Sequence, residues 1–190
     1  LYTCRKWFGV ADGAFLHTRD GARLGRVLER AKSYDRMGFV LGRFERSASA
    51  FFAESKENNA RFAEEPMAGM SALTENLLHA IDYEVAKERR LENWAELHEA
   101  LGTDNRLSLS VPEVSFMYPY MVADAEGARQ AMADEGVFVP TLWPNVPRDS
   151  AAGPDAIDYS RNVLPLPVDQ RYGIDDMRAV IRSLRKAETI

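Results

Sequence analysis

A lysine just ahead of a tight turn is the first feature of this chain with chemical reach. Lys6 stands in Arg5-Lys6-Trp7-Phe8-Gly9-Val10-Ala11-Asp12-Gly13. A lysine amine attacks carbonyl groups to form a Schiff base when burial or neighbouring cations lower its pKa. Arg5, Trp7 and Phe8 would supply that setting if the side chain points inward. The competing reading is a solvated surface lysine, the ordinary state of this residue. A second set is aromatic: Phe116, Tyr118, Tyr120, Phe138 and Trp143. As a pocket wall these rings would stack a base or a sugar; otherwise they are the core of a small unit. The third is Asp169-Gln170-Arg171-Tyr172, following Leu164-Pro165-Leu166-Pro167. The Arg171 guanidinium suits a carboxylate clamp, or it stabilises a turn.

Other chemistries find no template. Gly69-Met70-Ser71-Ala72-Leu73 lacks the second glycine of a nucleophile elbow. No GxxxxGK or GxGxxG run is present. The histidines His17, His79 and His98, with the single Cys4, have no zinc-ligand spacing. Glu84, Glu88, Arg89, Arg90, Glu92 and Glu96 read as a charged solvent face with i, i+4 pairing. With 24 basic and 29 acidic side chains the net charge is −5, which disfavours a nucleic-acid or anionic membrane surface. No apolar run approaches the roughly 20 residues that span a bilayer. A lone cysteine makes no internal disulfide, and a reducing cytoplasm is the expected compartment.

The elements that must position these residues are mostly helical at first. Ala14-Phe15-Leu16-His17-Thr18 alternates as a short strand leaving the Asp12-Gly13 turn. Apolar residues from Leu24 to Phe44 fall at helical spacing, though Gly25, Gly38 and Gly42 weaken it. Further helices are expected at about 49–63, from the N-cap Ser71 through Ile81, and from Glu84 to Leu101 with Gly102 as its stop. After Pro112 the texture changes. Residues 114–122 read as a strand, with Pro119 forcing an edge or a bulge. A helix over 125–135, a strand at 137–139, a proline-rich loop over 140–156 and a last helix over 174–186 follow. Asp175 and Asp176 at the start of that last helix, and Arg182, Arg185 and Lys186 at its end, suit the helix dipole.

Three stretches, in order, make the chain resemble the C-terminal half of the DegT/DnrJ/EryC1/StrS family, the fold-type I pyridoxal-phosphate aminotransferases of amino-sugar pathways. They are Arg5 to Ala14, with its lysine before a DG-containing turn; Met70-Ser71-Ala72-Leu73 followed by Arg89-Arg90 and Asn93; and Val163-Leu164-Pro165-Leu166-Pro167 with Asp175-Asp176-Met177. The resemblance implies an α/β fold. Residues 1–20 would end the large cofactor domain, 21–111 would form a helical segment, and 112–190 a small C-terminal α/β domain. It further implies pyridoxal 5'-phosphate as cofactor, with Lys6 as its Schiff-base lysine and the base that shuttles the donor proton. An amino acid such as glutamate would be the donor and a keto (nucleotide-)sugar the acceptor. Tyr118, Trp143 and Arg171 would belong to the acceptor pocket, and the active form would be a homodimer. Met67-Ala68-Gly69 stands where the family has Asn-Tyr-Arg, so that run's contact to the partner subunit's cofactor phosphate is not carried over. The chain begins at Leu1 and is expected to be a fragment lacking most of the cofactor-binding domain. The alternative expectation is a non-catalytic helical binding or assembly module on the same scaffold.

Overall fold

The computed structural model describes residues 1–19, 25, 27–47 and 49–188. It is a mixed α/β chain that divides into two compact units, Leu1–Ile81 and Asp82–Ile190. This division differs from the boundaries at 20 and 111 that the resemblance implies. The fourth helix, grouped by its pattern with the helical middle, is built into the C-terminal unit.

The N-terminal unit opens with β1 (Tyr2–Thr3), a 3-10 turn at Cys4–Lys6 and β2 (Ala14–Phe15). The two strands pair antiparallel, Tyr2 opposite Phe15 and Thr3 opposite Ala14. After a second 3-10 turn, Tyr34–Arg36, come α1 (Gly38–Glu45), α2 (Phe52–Arg61) and α3 (Ala72–His79). The helix expected from Leu24 is therefore only its last third. Leu24 itself lies outside the described residues, and the stretch around residue 30 is extended instead. There Gly69 N–H donates to the Glu29 carbonyl, and Ala31 N–H donates to the Gly69 carbonyl. A distant backbone partner replaces the i→i−4 bonds, an override that helical spacing cannot register. The apolar residues collect in two small clusters: Cys4, Val10 and Leu78 in one, Ala11, Met37 and Val40 in the other.

The C-terminal unit has one larger core. Asp82 caps α4 (Tyr83–Leu101) by accepting from Val85 N–H. This helix buries Asn93, Trp94, Leu97 and Leu101. Next are β3 (Met117–Met121), α5 (Ala125–Asp134), a 3-10 turn at Val146–Arg148, α6 (Pro154–Asn162), β4 (Val163–Pro167) and α7 (Ile174–Ala187). Strands β3 and β4 pair antiparallel, with Tyr118 opposite Leu166 and Tyr120 opposite Leu164. All four side chains are buried, packed with Met132 of α5 and with Met177 and Leu184 of α7.

Pro119 lies opposite Pro165 in an unbroken register, so there is an edge and no bulge. Its lack of an N–H costs nothing there. The outward-facing Pro119 carbonyl accepts from Asn105 Nδ2 at 2.9 Å, and Met121 N–H donates to Asn105 Oδ1 at 3.0 Å. One side chain thereby covers the open edge of a two-stranded sheet.

Two expectations in this unit are overturned. No strand forms at 137–139, because Val137 N–H turns back to the Met132 carbonyl to close α5 while Val139 fills the core. The loop over 140–156 is interrupted by the 3-10 turn and gives way to helix at Pro154. That residue opens α6 at a position where a proline loses no helical hydrogen bond.

Candidate functional site

Lys6 sits at the end of the 3-10 turn, exposed to solvent. It does not point inward, so the burial that the sequence reading required to activate it is absent from this chain's fold. Arg5 is not a neighbouring cation aimed at the amine either. Its guanidinium lies 4.0 Å from the centre of the Phe62 ring and hydrogen-bonds Asn59 Oδ1. Among the described residues Lys6 has no ion-pair or hydrogen-bond partner.

The loop carrying Lys6 is nevertheless held at both flanks. On one side Cys4 N–H donates to the Gly13 carbonyl at 3.0 Å, and Trp7 and Phe8 N–H both donate to the Cys4 carbonyl at 2.9 Å. On the other, Asn58 Nδ2 donates to the Ala11 carbonyl at 2.9 Å. Gly13 takes φ +96°, and a Cβ there would stand 2.9 Å from Met70 Cε. Only glycine turns the chain at this point without strain.

Asp12 is the anchor. It is 3% exposed, and its Oδ2 accepts Ser71 N–H at 2.8 Å while its Oδ1 accepts the hydroxyls of Ser71, at 2.8 Å, and Thr74. Ser33 Oγ joins the cluster 2.7 Å from Ser71 Oγ. Burial alone would raise the carboxyl pKa. The hydrogen bonds from Thr74, Ser71 and Ser33 outweigh it and hold the group below the ordinary aspartate range. The same Ser71 caps α3, accepting Thr74 N–H at 3.1 Å. The turn after the lysine and the start of α3 thus share one buried charge. Cys4 is buried beneath them, and its thiol is pushed up by that burial and then by Asp12. It is a packing residue and a poor nucleophile.

The remaining candidates lie in the C-terminal unit, and the structure does not gather them into one pocket. Tyr118 is fully buried. Its ring packs beside Trp94, its hydroxyl lies 3.1 Å from His98 Nδ1, and burial raises its pKa. Tyr118 and Tyr120 are core, the packing alternative for the aromatic set. Phe138 and Trp143 are exposed. The Arg171 fork is already filled: Nε and Nη2 reach the two carboxylate oxygens of Asp169 at 2.8 and 3.1 Å. Asp169 also faces the buried Arg90 at 3.7 Å. Burial would raise the Asp169 pKa, but the hydrogen bond and charge of Arg171, then Arg90, hold it low. Asn93 Nδ2 completes this turn by donating to the carbonyls of Val168, Asp169 and Tyr172. Arg171 therefore stabilises a turn, the second of its two expected roles. Arg90, expected on a solvent face, is 2% exposed.

The sequence reading passed over the cluster of Asp12, Ser33, Ser71 and Thr74. Its only sequence signal is the pair of turn and cap residues, an Asp-Gly and a Ser three residues before a Thr, and nothing in their spacing joins them. No group of three or more metal-ligating side chains is assembled among the described residues, and no described helix is long and apolar enough to cross a membrane. No family model, curated protein or solved structure matches this chain.

Proposed function

We propose that this chain is the carboxyl-terminal portion of a pyridoxal-phosphate-dependent aminotransferase of the sugar-aminotransferase type, with Lys6 as the lysine that bonds the cofactor. One observation carries the reading. Two of the three stretches on which the resemblance rests are tied together by the bonds from Ser71 to Asp12. An acid following the lysine and the serine that opens α3 thus act as one support for the lysine-bearing loop. The third stretch forms β4 and leads into α7.

The residues present fit the cofactor at one point. A Schiff base needs an amine that is not committed to an ion pair, and Lys6 is exposed and unpaired among the described residues. The buried residues of its loop, Cys4 and Val10, pack in an apolar cluster with Leu78 and do not suit a phosphate or a pyridine nitrogen. Those contacts are assigned to residues of the longer protein. When bound, pyridoxal phosphate supplies an electron sink for a carbanion at the donor Cα. With the cofactor bound, Lys6 Nζ would be the group that takes the donor Cα proton and returns it, carried on a loop whose backbone is held at both flanks. The acceptor on this reading is a keto sugar, the donor an amino acid such as glutamate, and the assembly a homodimer.

A second reading, a non-catalytic assembly module, is favoured by a different observation. The N-terminal unit leaves Tyr2, Phe15, Leu16, Leu41, Phe44 and Phe52 more than half exposed, a large apolar display for so small a unit.

Borohydride trapping separates the two. The full-length protein containing this chain is mixed with pyridoxal phosphate, reduced and mapped by mass spectrometry. One pyridoxyl group per chain at Lys6, lost in Lys6→Ala, is the expected result. Label scattered over surface lysines would overturn the aminotransferase reading.

A further inference from the structure

The second 3-10 turn, the start of α1 and one face of α2 border an open cavity of about 140 Å³ in the N-terminal unit. That is close to the roughly 150 Å³ that admits one benzene ring. Glu54 and Asn58, four residues apart on α2, line it together with Asp35 and Phe39. Both cations of its wall are already engaged. Arg36 Nη2 donates to the Lys32 carbonyl at 3.2 Å and its Nη1 to Glu65 at 3.3 Å, while Arg61 pairs with Glu57 at 3.5 Å. Asp35 and Glu54 have no hydrogen-bond or ion-pair partner among the described residues. A Cβ at Gly38 would stand 3.4 Å from Glu54 Oε2, so a glycine at the start of α1 makes room for that carboxylate. Asn58 decides the polarity of the site. It is 4% exposed, and its Nδ2 donates to the Ala11 carbonyl at 2.9 Å. That carbonyl only accepts, which fixes the orientation of the amide. Asn58 Oδ1 is left buried without a hydrogen-bond partner, an unfavourable state that an N–H donor relieves.

We infer that this cavity binds the guanidinium group of a small molecule. What its wall leaves uncommitted is all acceptor: the carboxylates of Asp35 and Glu54 and the amide oxygen of Asn58. A ligand there must donate, and a positive charge strengthens each bond to a carboxylate. A guanidinium directs its N–H groups outward in one plane, so it meets acceptors from the 3-10 turn and from α2 at once. It is more weakly hydrated than an ammonium, and its flat face suits the ring of the half-buried Phe39. The inference goes beyond the aminotransferase reading, because it uses neither Lys6 nor the cofactor.

The test is an NMR titration of the isotope-labelled full chain, at constant ionic strength and without pyridoxal phosphate. The probe is methylguanidinium chloride, with methylammonium and tetramethylammonium chlorides as comparison cations. Saturable shifts of the Asn58 side-chain amide and of α2 backbone amides are expected with methylguanidinium. Glu54→Gln and Asp35→Asn, both at exposed positions, should each weaken binding about 10-fold. Parent-like spectra of the two variants outside α1 and α2 exclude unfolding as the cause. Glu64→Gln removes the same charge outside the cavity and should leave binding unchanged, as should Lys6→Ala. The inference is overturned if no shift saturates, if tetramethylammonium, which has no N–H, binds equally well, or if Glu64→Gln weakens binding as much as Glu54→Gln. Tighter binding of methylammonium would overturn the assignment to a guanidinium. Failure of the borohydride trap leaves the inference untouched, so the two readings fail separately.

Discussion

Removing the carboxylate of Asp12 should loosen the lysine-bearing loop and the start of α3 together. Asp12→Ala takes away the acceptor of three donors, Ser71 N–H and the hydroxyls of Ser71 and Thr74, at a position 3% exposed. Hydrogen bonds to a charged group contribute about 1.5–3 kcal/mol each, and a buried donor left unpaired costs about 1–3 kcal/mol. Donors sharing one acceptor are not additive, and the two hydroxyls can rotate toward other acceptors. The expected loss for Asp12→Ala is therefore about 4 kcal/mol, below the simple sum of these terms. Asp12→Asn keeps the shape and one oxygen but turns an NH2 toward a donor, at about 2 kcal/mol. At 1.36 kcal/mol per decade these become roughly 1000-fold and 30-fold increases in the local opening constant. Hydrogen exchange read by mass spectrometry measures it on peptides spanning 7–14 and 70–79. Peptides of the C-terminal unit, which holds none of Asp12's partners, serve as reference. The sign with pH is fixed. Because the folded pKa lies below the unfolded value, the contribution is complete above the unfolded aspartate pKa of about 3.9 and fades as pH falls through the lower folded value. Protection in these segments should fall on acidification in the parent and lose that dependence in Asp12→Asn. Parent-like exchange in Asp12→Ala at neutral pH would refute the anchoring argument.

Three further outcomes follow from the same geometry. Gly13→Ala, at φ +96° and pressed against Met70 and Thr74, should destabilise the N-terminal unit by about 2 kcal/mol in urea denaturation. Asp169→Ala removes the carboxylate that faces the buried Arg90, and a loss of about 3 kcal/mol is expected from the C-terminal unit. Arg90→Met in the same chain should recover part of it, read as a non-additive double-mutant cycle. Lys6→Ala, an exposed position, should leave the thermal midpoint within about 0.5 kcal/mol-equivalent of the parent while removing the borohydride label. A destabilised Lys6→Ala protein would show that the lysine is structural.

The caps and the long patterned helices were legible before any coordinates. Ser71 and the stop at Gly102 stand where the spacing put them, and α7 begins and ends with the charges its dipole favours. Such features are local: a helix end is satisfied by residues within one turn of it. Misreadings came where a partner outside the periodic pattern decided the outcome. Residues 29–31 follow Gly69 instead of their own helical period, and Val137 closes α5 instead of starting a strand. Pro154 carried a usable signal for α6, since proline followed by an acidic residue is a helix start as well as a loop marker.

The site divides along the same line. Sequence alone determined that Lys6 precedes a glycine turn, that the aromatic residues alternate along a strand, and that Arg171 follows an acid by two residues. Only the tertiary structure decided that Lys6 is exposed, that Tyr118 is core while Trp143 faces solvent, and that Arg171 is already paired with Asp169. It also decided that Asp12 and Ser71, far apart in the chain, share one buried charge. The physical reason is that spacing specifies which residues share a face of an element. Burial and hydrogen-bond partnership depend on what packs against that face, and for Asp12 and Ser71 the deciding partners are remote in sequence.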